Sequence, residues 1–360
     1  MRSGHRYRWA LGAVLAVVAV LVVGVAVAHP SADPGTGTAG GGAAAASLVP
    51  AGDRRPAPDF TGISRWINSP PLHRDQLRGR VVLVDFWTFS CVNCTRTIPH
   101  LRALHDHYGD RGLVVVGVHS PEFAFEKDPA SVAAAVRRLG VTWPVAVDSA
   151  MATWNAFDNQ YWPAEYLVDR QGRVAYVHAG EGEYGTTESA VLQLLGGGAT
   201  AAPAATDAAS APGSNTTPEL YAGSLRGSLG DGEEYGAQGV RVDYPDHGDP
   251  RDRDRLTVAG GWVDRAEYLE AATAGHVRLR FHAGDLYVVG GSASGAPLRV
   301  GVTLDGVPVP EAGGGPDLAA AGLTIGGPDL RHVLQGVAPG DHVVDLAVPA
   351  GFRLYTFTFG

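Results

Sequence analysis

Cysteine is almost missing from this chain, with 2 in 360 residues, and methionine is equally rare at 2. So few thiols exclude a disulfide-stapled scaffold. Charge is sparse too, at 18% of residues with a net value of −9. No basic stretch occurs beyond Arg2, Arg6 and Arg8, so nucleic-acid binding has no electrostatic footprint. No repeat of solenoid length occurs. Long apolar runs are also lacking, apart from one between Trp9 and Ala28. Glycine and proline, by contrast, are plentiful at 49 and 24, which points to loops, linkers and β-structure.

The apolar run is close to the ~20 residues that a membrane-crossing helix needs. Its length suits a retained anchor, while Ala26-Val27-Ala28 resembles a cleavage site. Arginines precede it, so either reading exports the remainder of the chain, anchored to the cytoplasmic membrane or secreted. In that compartment disulfides persist. Composition then divides the chain into residues 1–28, signal peptide or anchor; 29–58, a flexible linker; 59–195, a first domain; 196–217, a second linker; and 218–360, a second domain.

In the first domain, short β-branched runs alternate with helical patterns. Val81–Trp87 and Leu113–His119 read as buried strands, and Ser131–Leu139, Met151–Phe157 and Glu188–Leu195 as helices. Pro144–Val147 is a short strand, and Glu165–Val168 with Val174–Val177 form a hairpin turning at Gln171-Gly172. This is an α/β domain with a partly parallel sheet. Beyond Pro218 only short strands remain, separated by Gly, Pro and Asp, with a hairpin signal at Asp305-Gly306. That spacing predicts an all-β sandwich of jelly-roll kind.

The two cysteines stand together as Cys91-Val92-Asn93-Cys94, where strand pattern gives way to helix. A thiol at a helix N-terminus meets free N–H groups and the positive end of the dipole, which favour thiolate. Cys91 is therefore the candidate nucleophile. Cys94, one turn on and better shielded, is the thiol that resolves a mixed disulfide. A static disulfide here would close a tiny loop and restrain little. Zinc would need about two more ligands. His100, His105 and His107 are near in sequence but read as polar positions on or just beyond the helix. His119 and His178 read as strand ends. Asp85, set within an apolar strand, should have a raised pKa and suits a proton acceptor for Cys94; the alternative is a strand-end aspartate met by backbone or water. Pro163 opens a strand and marks a turn, for which trans is the ordinary expectation.

These features resemble the thioredoxin superfamily. Val84-Asp85-Phe86-Trp87-Thr88-Phe89-Ser90-Cys91-Val92-Asn93-Cys94 is similar to the strand-to-active-site segment of extracytoplasmic thioredoxins of the TlpA type. Pro99 matches the kinking proline of the active-site helix, and Asp85 the buried carboxylate. Pro163 matches the proline facing the disulfide, which implies a cis bond. Ser120–Lys127, Tyr161–Ala164 and both ends of the second domain, Thr217–Tyr221 and Tyr355–Gly360, further resemble the periplasmic portion of DipZ proteins. The resemblance implies a thioredoxin-like domain followed by a carbohydrate-binding-module-like sandwich. It also implies an exported thiol–disulfide oxidoreductase that exchanges with protein thiols and disulfides and needs no cofactor. DipZ proteins carry a CcdA-type membrane domain; with one apolar segment here, a reductase would draw its electrons from a separate membrane partner of that type, and without such a partner the chain would run as an oxidase or isomerase. Glu122, Glu126, Glu181 and Glu183 fall in loops of the matching pattern, with Glu122 either near the thiols or a solvated loop carboxylate. The competing expectation is a binding protein whose sandwich holds a wall glycan or a protein, with Trp262, Tyr268, Tyr287 and Tyr355 as candidate sugar platforms.

Overall fold

Strand Val81–Trp87 is buried along its whole length, and a sheet is built on both sides of it. In chain order the first half contains β1 (Arg65–Ile67), β2 (Val81–Trp87), α1 (Val92–Tyr108), β3 (Leu113–His119), α2 (Pro129–Arg138), β4 (Val145–Val147), α3 (Ala152–Ala156), β5 (Ala164–Val168), β6 (Val174–Ala179) and α4 (Tyr184–Leu195). The sheet order is β1-β4-β3-β2-β5-β6. The β2, β3 and β4 strands run parallel, while β1, β5 and β6 pair antiparallel at the flanks. This is the thioredoxin-like α/β arrangement. The computed structural model describes residues 46–197, 215–309, 314–319 and 322–360. The apolar run Trp9–Ala28 lies outside the described residues, as do 29–45 and 198–214 of the expected linkers. Among the described residues no helix is long and apolar enough to cross a membrane.

Side chains alternate across a strand, so β2 serves two cores at once. Val81, Leu83 and Trp87 face the core under α1, α2 and α4, together with Leu101, Leu104, Val136 and Val191. Val82, Val84 and Phe86 face the opposite layer with Trp154 and Phe157. Asp85 shares the parity of Leu83 and Trp87, which directs it beneath α1. On α1, Cys94, Ile98, Leu101, Leu104 and Tyr108 repeat at helical spacing and are all buried. Pro99 lies inside that helix.

Two expected boundaries move. The flexible linker expected over 29–58 does not extend through 46–58: Ala46 and Ala57 are buried, Val49 N–H donates to Ala175 O, and Arg54 pairs with Asp169. These contacts satisfy backbone groups along the β6 side of the sheet, which a free linker would leave to water. At the second linker, Thr217 is already buried and exchanges hydrogen bonds with His282.

The second half is a mostly antiparallel sheet folded into a nearly barrel-like sandwich. Its path runs from Leu318–Ala319 through Gly322–Ile325, Leu298–Leu304, His342–Val348, Gly275–Phe281, Leu256–Asp264, Leu269–Ala271, Phe352–Phe359 and Leu286–Ser292 to Asp329–Leu334. The predicted turn at Asp305-Gly306 joins Leu304 to Val307, with both turn residues at positive φ. The described residues form one compact unit, with the two halves in contact through Phe123 and Tyr355 and through Arg138 and Asp329.

Candidate active site

The Cys91 residue is the N-cap of α1, and its Sγ accepts the Cys94 N–H at 3.3 Å. That N–H is one of the donors a helix leaves unsatisfied at its start. Both cysteines are free; Cys91 is half-buried and Cys94 buried. Burial, then the hydrogen bond and charge of Cys91, and last the charge of Asp85, hold the Cys94 thiol well above the usual thiol range. The pair is thus asymmetric, with one sulfur presented to solvent and the other kept as a thiol behind it.

Asp85 lies mid-strand, 3% exposed, and its Oδ1 has no hydrogen-bond partner. Burial, and next the charge of Glu165, push its carboxyl well above the ordinary range. Glu165 stands directly across from Asp85 in the antiparallel β2–β5 register. It is buried, takes one hydrogen bond from Thr187 Oγ1 at 2.9 Å, and burial raises it to about 7. Two carboxyl groups therefore sit side by side under α1, the nearer one acting on Cys94 electrostatically.

Trp162-Pro163 is a cis peptide bond. Its position is fixed by Pro163 O accepting from Gly180 N–H and by Trp162 Nε1 donating to Ser120 O at 3.0 Å. Gln160, Tyr161 and Trp162, leading into Pro163, line a cavity of about 260 Å³ together with Cys91. Glu122 lines it too, so the reading near the thiols holds over the solvated one.

The placement of two of the loop glutamates, Glu126 and Glu181, was not legible in the sequence. Glu126 is fully buried behind the Thr88–Ser90 loop. Its Oε1 accepts from the Thr88 and Ser90 hydroxyls, and its Oε2 from the Glu122 and Phe123 N–H groups. Burial raises it to about 7 against those hydrogen bonds. In the sequence, Glu126 was legible only as a loop glutamate of the resembling Ser120–Lys127 segment, and its burial and hydrogen bonds were not. Arg96 on α1 clamps Glu181 bidentately at 2.6 and 2.8 Å and also reaches Asn93 inside the motif.

The histidines do not gather at the thiols. His100, expected at a polar position, is buried and stacks on Tyr184 at 4.5 Å, and burial lowers it to about 4. His105 packs beside Trp143, and His107 meets Tyr108 edge-on. His119 ends β3 as expected, but it also stacks on Phe89, in the loop before Cys91, at 5.4 Å. Among the described residues no group of three or more His, Cys, Asp or Glu is arranged to hold a metal ion. The candidate sugar platforms are packed away: Trp262 is 1% and Tyr355 4% exposed, Tyr287 stacks on His332, and Tyr268 lies against Tyr355.

Comparison with known proteins places this geometry. Residues 50–195 match the Redoxin family and residues 217–360 the family described as Thioredoxin like C-terminal domain. Protein DipZ of Mycobacterium tuberculosis is 37% identical over 317 residues, covering 84% of this chain but 43% of DipZ. The chain thus spans less than half the length of that relative. Thiol-disulfide oxidoreductase YkuV of Bacillus subtilis is 34% identical over 143 residues, covering 39% of this chain and 95% of YkuV. A solution structure of a thioredoxin-like protein in the oxidized form is 34% identical, with a TM-score of 0.37 over 39% of this chain and 95% of that one.

Proposed function

Because this chain belongs to the DipZ/TlpA-type thioredoxin-like thiol–disulfide oxidoreductases, we propose that Cys91 and Cys94 are its exchanging pair and that it works on protein thiols outside the cytoplasm. The observation that carries this reading is the asymmetry of the pair. The Cys91 sulfur opens on a cavity and accepts the Cys94 N–H, while Cys94 is shut in the core.

Running as a reductant, the Cys91 thiolate attacks one sulfur of a substrate disulfide. That bond breaks, a Cys91–substrate disulfide forms, and the leaving thiolate takes up a proton. Cys94 then gives its proton to the Asp85 carboxylate and attacks the Cys91 sulfur. The substrate leaves as its second thiol, and two electrons have passed from the cysteine pair to the substrate. An aspartate lifted by burial is a stronger base than a surface carboxylate, which suits it to a reluctant thiol. Pro163 and the residues before it form the opposite bank, where the substrate chain lies.

These 360 residues hold no third cysteine, so the pair trades electrons only with other molecules or other segments. A CcdA-type membrane relay is the donor proposed here. The apolar N-terminal run, anchored or cleaved, delivers the site to the compartment where such a relay hands electrons out.

The test is mixed-disulfide trapping. A Cys94→Ser variant keeps the attacking thiol and lacks the resolving one, so substrates should accumulate on Cys91 as dithiothreitol-sensitive adducts. A small set of folded partners supports the reductive direction, and a spread of unfolded secreted proteins an oxidative one. No adduct at all under native expression contradicts the reading.

A further inference from the structure

The cavity beside Cys91 does not belong to the thioredoxin-like half alone. Glu219, Tyr221 and Arg226, from the start of the sandwich, and Thr358, from its last strand, complete the wall. An apolar contact holds that wall in place: Phe123 and Phe125, from the loop after β3, pack against Tyr355, Tyr221 and Tyr268. The Glu126 carboxylate ties the same loop to Ser90, one residue before Cys91.

The charges on this wall do not balance. Arg226 Nη1 donates to Glu122 Oε1 at 2.8 Å and stacks 3.7 Å over the Tyr221 ring. The Tyr221 hydroxyl lies 2.7 Å from the same Glu122 oxygen and 2.9 Å from Glu219 Oε2, with one proton to share between them. Glu122 thereby takes the guanidinium and the better hydroxyl bond. Glu219 keeps the longer one and a contact to Thr356 Oγ1 at 3.3 Å. Two carboxylates thus face one cation, and the excess acceptor is at the cavity that Cys91 itself lines. Crowding by surrounding protein and then repulsion from Glu122 raise Glu219 to about 7; the residue is nonetheless exposed, so solvent screens part of both effects.

Building on the exchange role of Cys91, we propose that the sandwich is a specificity wall of the oxidoreductase site, selecting peptide segments with a lysine or arginine next to the exchanging cysteine. A substrate cation fills the place left beside Glu219, and the two halves read one substrate together. Glu219 and Tyr221 are specificity residues in this reading, with no part in the electron transfer.

The experiment uses the described chain with short cysteine peptides activated as thionitrobenzoate disulfides, bearing Arg, Ala or Glu beside the cysteine. Each rate is divided by that of the same peptide with dithiothreitol, which removes intrinsic reactivity. The arginine peptide should outrun the glutamate peptide by about fivefold at low salt, the size expected for one partly exposed ion pair. Glu219→Gln should bring that ratio toward one. Arg226→Ala, which frees Glu122, should raise it, so the two variants move in opposite directions. The exposed, distant Asp75→Asn should leave it unchanged. A wild-type ratio of one, or a ratio that survives Glu219→Gln, overturns the specificity wall. Inability to reduce hydroxyethyl disulfide, which carries no charge, overturns the exchange role itself and this proposal with it.

Discussion

The two halves are alike in size and opposite in what they bury. Of the aspartate, glutamate and histidine side chains among the described residues, the thioredoxin-like half buries Asp85, His100, His119, Glu126, Asp148, Glu165 and Asp169, whereas the sandwich buries only Asp264 and Asp329. Burial alone does not mark chemistry. Asp148 caps α3 through the Thr153 and Trp154 N–H groups, and Asp169 organises the β5–β6 turn and pairs with Arg54. In the sandwich, Asp264 accepts the Ser224 N–H, and Asp329 reaches across to Arg138. Asp264 Oδ2 in the sandwich also lacks a partner; what sets the thiols' surroundings apart is that two such carboxyls, Asp85 and Glu165, face each other across two strands. Buried carboxyl oxygens without partners cost stability, and two such carboxyls beneath the one cysteine pair mark the thioredoxin-like core as the candidate for chemistry.

Substitutions should separate the two cores accordingly. The largest effect is expected at Cys91: Cys91→Ser abolishes exchange with any disulfide, read as loss of thionitrobenzoate release. Residual exchange would mean that the accessible sulfur is not the nucleophile. Next comes Asp85→Asn, which should slow release of the mixed disulfide about 10²-fold near neutral pH while leaving formation of the adduct little changed. Equal slowing of both steps would make Asp85 structural. The sandwich should show the reverse pattern. Leu346, fully buried in its apolar core, should cost about 2–5 kcal/mol of stability as Leu346→Ala, seen as a lower denaturant midpoint, with exchange by the folded protein preserved.

The smallest effect depends on pH. Glu165 titrates at about 7 in the folded chain, above its unfolded value, so its stabilising contribution is complete below about 4.5 and lost as pH rises through 7. Glu165→Gln removes that loss. The stability gap between variant and wild type should therefore open in the variant's favour between pH 5 and pH 8, by at most on the order of 3 kcal/mol. A gap that stays constant over that window would mean the carboxyl is paired or hydrated.

The first half was legible because its signals are local. An unbroken apolar strand, a thiol pair and a helix start lie within residues 81–94, and the parity of Asp85 follows from the strand itself. Strand β1 was missed because three residues, Arg65–Ile67, carry no period. The nine-residue strand Leu256–Asp264 was missed because Gly260-Gly261 reads as a turn. Gly260 instead holds φ +95° inside the strand, and a Cβ there would meet Ala274 O at 2.9 Å. The cavity wall was illegible for another reason: Glu122, Glu219 and Arg226 meet only when two halves joined through residues 198–214 dock. No window of sequence contains that contact.

The central claim is that the Cys91–Cys94 pair is a working redox couple in a folded protein, and titration tests it most directly. Equilibrating the chain in graded dithiothreitol or glutathione buffers, trapping free thiols by alkylation and following the fold by near-ultraviolet circular dichroism gives both answers at once. The expected result is one reversible two-electron transition with the tertiary signal intact throughout. A disulfide that dithiothreitol cannot open until the protein unfolds would contradict it.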